Sequence, residues 1–205
     1  MDAVKYLLVV IVGYLLGSVS VSVLLSRGVL GGDVRTKGSG NAGATNMARV
    51  YGIKAGVLTL AGDMLKALLA MGLGSLLLGD AGIAAGGIAC ILGHCFPVFH
   101  QFKGGKGISV GAAIGLAIDW RVFLFIIGVF LLAAFLSKKV SLGSVCAAVA
   151  VTVASLLFHV STPKLILAIF GMVLAIFQHR ENIKRLINGT EADFKAAKEA
   201  PADRG

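Results

Sequence analysis

The feature that most constrains this chain is a succession of apolar runs too long and too closely spaced for a soluble core. They fall roughly at 6–26, 55–79, 81–99, 108–118, 121–136, 142–160 and 164–178, joined by short charged or Gly/Pro-containing segments. Hydrophobic residues make up 57 % of the 205, and mean hydropathy is +0.91. A helix needs about 20 largely apolar residues to cross the hydrocarbon layer, somewhat fewer where neighbours shelter its ends. Inside that layer the backbone can satisfy its hydrogen bonds only as helices or a closed barrel, and runs of this length select helices. The expected fold is an all-α polytopic membrane bundle of about seven transmembrane helices. Residues 1–188 would form one transmembrane domain, and 189–205 a polar tail, short and helical or frayed. The run 108–118 is short for a full crossing and is expected as a half-helix or part of a bent hairpin. The first run is too long for a cleaved signal peptide and reads as a retained helix.

An odd number of crossings places the termini on opposite sides, and the positive-inside rule chooses between them. Of the nineteen Lys and Arg residues, one side would hold only Lys5, Arg121 and Lys164, and Lys66 lies within a helix. All the others fall in the alternate joints, which predicts the N-terminus outside and the C-terminus in the cytoplasm. The formal charge of +9 is thereby explained by orientation, and with no nucleic-acid motif present a nucleic-acid partner is not expected. The three cysteines, Cys90, Cys95 and Cys146, show neither metal spacing nor a disulfide framework and read as small packing residues. The 28 glycines suit close helix approach.

Three cytoplasmic joints combine glycine, cations and amide or hydroxyl side chains, the groups that bind phosphate. The first runs from Arg35 through Gly38, Ser39, Gly40, Asn41, Gly43, Thr45 and Asn46 to Arg49. It contains a formal GxGxxG with Asp63 downstream, but no strand precedes it and Asp63 lies in a membrane helix, so a dinucleotide site is not indicated. The second, Gly93 to Gly107, places Lys103, Gly104, Gly105, Lys106 and Gly107 at the start of a helix. It is not a Walker A loop, because position 100 is His and Lys106 is followed by Gly. The third, Gln178 to Gly189, follows the last apolar run. If the helix continues, His179 and Asn182 share a face and Glu181 pairs with Arg185 at i,i+4. Asp63 and Lys66, spaced i,i+3 in the second run, read as a structural ion pair near the cytoplasmic end.

Absent patterns narrow the chemistry. There is no GxSxG elbow, no HExxH and no acidic cluster for a divalent ion, so no metal and no cofactor are expected. None of His94, His100, His159 and His179 is followed five positions later by Asp, the pattern of acyl-CoA-dependent glycerolipid acyltransferases.

The stretches GSGNAGATN from Gly38, GHCFPVFHQFKGGKG from Gly93 and HRENIKRLINGTE from His179 closely resemble the three motifs of the bacterial acyl-phosphate-dependent glycerol-3-phosphate acyltransferase family. The resemblance covers most of the chain. It implies transfer of a fatty acyl group from acyl phosphate to the 1-hydroxyl of sn-glycerol 3-phosphate, giving lysophosphatidic acid and inorganic phosphate, in the plasma (inner) membrane with the site facing the cytoplasm. It implies Ser39 and Arg49 as essential residues of the first motif, with Gly38, Gly40, Asn41, Thr45 and Asn46 binding substrate beside them. Lys103, Gly104, Gly105, Lys106 and Gly107 resemble the glycerol-3-phosphate loop. His179 and Asn182 match catalytic or binding residues, and Glu181 or Glu191 an acidic residue of structural role. The partners implied are the two substrates and membrane lipids, and the protein is expected as a monomer. An acyl phosphate is already activated and needs no metal or ATP. Direct attack by the hydroxyl is favoured over a Ser39 acyl-enzyme, with His179 or a substrate phosphate oxygen accepting the proton. The rival reading is a membrane transporter of an organic phosphate anion, which would place polar residues at the bilayer midplane. A structural scaffold would leave the three loops unexplained.

Overall fold

The structure, a computed structural model, describes residues 2–197. Those residues form an all-helical bundle. In chain order the α-helices are α1 (Asp2–Ser18), α2 (Val21–Gly28), α3 (Ala44–Tyr51), α4 (Ile53–Cys95), α5 (Ile108–Ile118), α6 (Trp120–Ser137), α7 (Val140–Leu157), α8 (Thr162–Gln178) and α9 (Arg180–Ile187). Four helical segments are long and apolar enough to cross a membrane. A fifth is added if α8 and α9, bent by 61° at His179, are one span. Their outer faces carry Leu7, Leu65, Leu69, Leu76, Leu132, Phe135 and Val173, all exposed. So many large apolar side chains turned outward suit lipid as the surrounding medium.

Helix α4 is two limbs. Gly79 has φ 58° and ψ −140°, outside the helical region, and beyond it the chain returns along itself. Gly74 and Gly82 face one another so closely that a Cβ on either would meet the other's carbonyl, and one on Gly86 would lie 2.6 Å from the carbonyl oxygen of Ala70. The two apolar runs read at 55–79 and 81–99 are thus the limbs 53–78 and 80–95. The other side of the returning limb receives α1: Gly13 and Gly17 lie on Gly86 and Cys90, and Gly93 on Tyr14. Small residues let backbones approach where lipid supplies no hydrophobic drive between helices. Cys90 and Cys95 are buried free thiols in this packing.

The core proper joins both limbs of α4 to α5, α6, α7 and α8, with Met71, Ile91, Ile114 and Leu167 fully buried. Helix α5 has 11 residues. At 1.5 Å per residue it is about half the bilayer core in length, as its run suggested.

Two features depart from the sequence reading. The first run, expected as one helix over 6–26, breaks after Ser18 and resumes at Val21; the Lys66 ammonium donates to the Val19 carbonyl in the gap at 2.7 Å. Gly17, just before the break, packs on Cys90, and the group that stabilises the gap comes from another helix. The tail was expected to be helical or frayed, yet residues 190–197 are non-helical and anchored. Phe194 N–H donates to the Lys138 carbonyl at 3.0 Å, Ala197 N–H to the Ala48 carbonyl at 3.2 Å, and Lys139 pairs with Asp193 at 3.0 Å. Residues 198–205 of the expected tail lie outside the described residues.

Candidate active site

The loop from α2 to α3 is organised around one side chain. Asn46 is buried, and its Oδ1 accepts from the Ser39 N–H at 2.9 Å while its Nδ2 faces the carbonyls of Val34, Lys37 and Asn41 at 3.0–3.1 Å. Its amide is therefore committed to the loop's own backbone. The loop turns through Gly38 (φ 59°), where a Cβ would strike Asn46 Oδ1, so neither strain nor space admits another residue. Val34 and Met47 pack with Ala55 into a small apolar cluster beneath. Asp33 caps the short 3-10 turn Val34–Thr36 and receives Arg35 and Arg27. Hydrogen bonds from Arg35 above all hold its carboxyl well below the usual carboxylate range.

The second loop is built on the end of α4. Gln101 and Phe102 adopt φ of 56° and 58°. Non-glycine residues in this region cost on the order of 1 kcal/mol each, and such strain clusters at functional sites. The turn lets Gly105 N–H donate to the His94 carbonyl at 3.1 Å and lays Gly104 on the backbone of His94 and Cys95. Helix α5 then begins at Gly107, itself at φ 85°.

The third segment turns at the α8–α9 bend. His179 Nδ1 lies 2.8 Å from the Ala175 carbonyl, which can only accept, so the proton sits on Nδ1 and Nε2 is the ring's acceptor. Lys106 donates to Asn182 Oδ1, Asn182 Nδ2 donates to Glu191 Oε1 at 2.7 Å, and Arg185 Nε donates to Glu191 Oε2 at 2.7 Å. The cation on one side and the carboxylate on the other fix which way the Asn182 amide points. Arg185 thus pairs with Glu191, and the expected i,i+4 pair with Glu181 is not formed; Glu181 is exposed.

These segments enclose a cavity of about 690 Å³. Ser39, Asn41, Thr45 and Arg49 line it from the first loop and α3, Lys106 and Gly107 from the second, and His179, Asn182 and Glu191 from the third and the tail. All four residues expected to be catalytic, Ser39, Arg49, His179 and Asn182, meet there. From this polar end the cavity runs between helices along Ile114, Ile126, Phe130, Ala147, Val151 and Ala168. A second cavity of about 440 Å³ adjoins it, lined by Gly40, Lys103, Gly104, Gly105 and Glu181, with Ser39, Asn41, Lys106 and Arg185 shared between the two. Burial first, then the charge of Arg185, with Arg49 and Arg180 adding, holds Lys106 below the ordinary lysine range against the opposing pull of Glu191. Cations crowded together in this way suit an anion between them.

Asp63 and Lys66 line neither cavity. They form a buried pair at 2.8 Å, joined by His94, whose Nδ1 is 3.1 Å from Lys66 Nζ. His94, Ser141 and Arg185 are among the wall residues that sequence reasoning did not single out. Ser141 lies in the joint between the runs 121–136 and 142–160, beside Lys138 and Lys139, but that joint lacks the glycines that mark the other three. Arg185 was assigned to another partner.

The arrangement is a cation-rich polar chamber continuous with an apolar channel, and known proteins share its fold. A family model described as Glycerol-3-phosphate acyltransferase matches residues 7–189. The Glycerol-3-phosphate acyltransferase of Syntrophotalea carbinolica is 41 % identical over 197 residues, covering 94 % of this chain and 99 % of the relative. That of Bacillus subtilis is 38 % identical, covering 92 % and 97 %. Two crystal structures of PlsY (YgiH), an integral membrane glycerol 3-phosphate acyltransferase, superpose closely. The glycerol 3-phosphate form has a TM-score of 0.88 at 36 % identity, covering 93 % of this chain and 96 % of that one. The lysophosphatidic acid form has a TM-score of 0.86 at 35 % identity, covering 93 % and 95 %. With a matching family model over nearly its whole length and relatives of the same size and fold, this chain belongs to the glycerol-3-phosphate acyltransferase family.

Proposed function

We propose that the protein transfers a fatty acyl group from acyl phosphate to the 1-hydroxyl of sn-glycerol 3-phosphate, forming lysophosphatidic acid and inorganic phosphate. The observation that carries this reading is the union of a cation-rich polar chamber with an apolar interhelical channel, the shape of a phosphate head with an acyl tail. The adjoining chamber, sharing Ser39, Asn41, Lys106 and Arg185, gives the second anion a place beside the first. Both substrates are anionic, and bringing them together is the principal barrier that binding must offset. Ser39, Arg49 and Asn182 hold the acyl phosphate and the oxyanion that develops on its carbonyl. Lys106 and the glycines from 104 to 107, with Lys103 at the rim, hold glycerol 3-phosphate. The hydroxyl oxygen attacks the acyl carbon, the bond to the phosphate oxygen breaks, and phosphate leaves with the electron pair. The hydroxyl proton passes to an acceptor; His179 Nε2 and the departing phosphate are the two at hand. Asp63, Lys66 and Glu191 act as supports.

The same reading places the protein in the bacterial plasma membrane as a monomer with seven crossings, N-terminus outside and chamber in the cytoplasm. The fold-back of α4 at Gly79, the short α5 and the skew of Lys and Arg among the joints support it. A phosphate transporter would need its polar groups at midplane, whereas here they gather at one end of the bundle.

The test is purified protein in detergent, supplied with glycerol 3-phosphate and either acyl phosphate or acyl-CoA. Phosphate release that depends on the acceptor, occurs with acyl phosphate alone and yields lysophosphatidic acid is the expected result, lost in Ser39→Ala and Arg49→Ala. Flux of glycerol 3-phosphate into liposomes without product would instead support the transporter.

A further inference from the structure

The buried cluster beneath the second loop is more than a neutralised pair. Lys66 is 6 % exposed and its ammonium is ringed by three acceptors: Asp63 Oδ1 at 2.8 Å, the Val19 carbonyl at 2.7 Å and His94 Nδ1 at 3.1 Å. An ammonium has donors and no acceptor, so in the contact with Lys66 Nδ1 must offer its lone pair. Asp63 Oδ1 lies 3.7 Å from Nδ1, too far to compete for it. The imidazole proton is therefore on Nε2. That edge of the ring occupies the space a side chain on Gly105 would fill, and His94, only 5 % exposed, lines the main cavity with Lys106 and Gly107. The ring's hydrogen bond among the described residues is the one through Nδ1, and Nε2 makes none there. A donor without a protein partner, on the cavity wall beneath a glycine loop and beside a lysine, is placed to meet an acceptor on a bound anion.

We propose that His94 donates a hydrogen bond from Nε2 to the phosphate of glycerol 3-phosphate, and that Lys66, held by Asp63, is the positioning residue that fixes this tautomer. His179, with its proton on Nδ1, presents the opposite character to the same cavity. One histidine offers a donor to the substrate anion and the other an acceptor, and the protein sets each with a single contact to Nδ1. The inference rests on the acyltransferase reading and extends it to a phosphate ligand not marked by the loop's own cations.

The first test needs no variant. In wild-type protein labelled with 15N-histidine, His94 should show the Nε2–H tautomer, and its Nε2–H resonance should move on adding glycerol 3-phosphate in the absence of acyl donor. A resonance that moves with acyl phosphate but not with glycerol 3-phosphate, or with neither, overturns the proposal. In kinetics, His94→Phe and Lys66→Met should each raise the KM for glycerol 3-phosphate by about tenfold or more, the effect expected for a lost hydrogen bond to a charged group. The KM for acyl phosphate should change by less than about twofold, since that substrate does not lie over the loop. Lys66→Met should also let the Nδ1–H tautomer appear, and Lys66→Arg should restore both readouts in part. Equal rises in both KM values with an unchanged tautomer would leave only a structural role and sink the idea. Wild-type protein that transfers no acyl group would fell the parent reading, whereas full turnover with an unmoved His94 resonance would fell this one alone.

Discussion

Lys106 shows how a residue's surroundings, and not its type, set what it can do. It donates to Asn182 Oδ1, is half-buried, and has Arg49, Arg180 and Arg185 close enough to disfavour its charge. Glu191 alone works the other way. The ammonium of the free enzyme therefore loses its proton at a lower pH than an ordinary lysine. Losing it removes a positive charge from the phosphate site, so affinity for glycerol 3-phosphate falls as pH rises through that lowered value. The kcat/KM profile reports groups of the free enzyme, so its alkaline limb should begin to fall before an ordinary lysine would titrate. Lys106→Arg keeps the charge at all these pH values, and its limb should move to higher pH even though the altered fork geometry lowers the plateau. A pH series of kcat/KM for both proteins decides it. An alkaline limb at the same pH in wild type and Lys106→Arg would assign the titration to another group.

At the scale of elements, the first loop is a backbone wrapped around the Asn46 amide. Asn46→Asp keeps the shape but turns two donors into a carboxylate oxygen facing the carbonyls of Val34, Lys37 and Asn41. A buried donor lost and an acceptor left against acceptors should cost about 2–4 kcal/mol of stability and lower turnover about tenfold or more. Thermal unfolding in detergent beside the acyl-transfer assay would measure both, and unchanged values would show that the loop does not depend on this side chain. The glycines, hydroxyls and cations of this loop single it out in the sequence, and the fold brings it to the chamber wall. The sequence does not tell that Asn46 is buried with its amide bound to the loop's backbone while Asn41, of the same type, lines both cavities, because both sit among the same polar neighbours. Likewise the apolar runs at 55–79 and 81–99 read as the two limbs of α4, since length and hydropathy are local. The break after Ser18 does not read, because its stabilising ammonium is Lys66, 47 positions on. The bend at His179 and the anchoring of 190–197 are illegible for the same reason: both are fixed by contacts with Lys106, Lys138, Lys139 and Ala48 that only the assembled bundle supplies.

Across the whole molecule, the cation-rich chamber at one end of the bundle and a channel lined chiefly by apolar side chains meet in a single cavity. The polar end fixes where the head of a phosphate ester must lie, so the acyl chain can extend only along α5, α6, α7 and α8. Chain length is then limited by how far the channel stays open, and not by the chamber that does the chemistry. Ala147 is partly exposed, lines the channel, and sits two turns into α7 from the polar end. Phe130 and Ile126 line the same channel from α6. Ala147→Leu adds three carbons to that wall without touching Ser39, Arg49, Lys106 or His179. Each methylene that can no longer be buried costs about 0.8 kcal/mol, or about fourfold in kcat/KM. Long-chain acyl phosphates should therefore lose kcat/KM relative to short ones, by about fourfold for every methylene displaced, while the KM for glycerol 3-phosphate stays as in the wild type. The measurement is kcat/KM across a series of saturated acyl phosphates of increasing length. A uniform fall at every length would mean that the added carbons disturb the chamber itself; a fall confined to the longer members would locate the tail between α6 and α7 and make the channel, not the polar loops, the part of the molecule that selects the acyl chain.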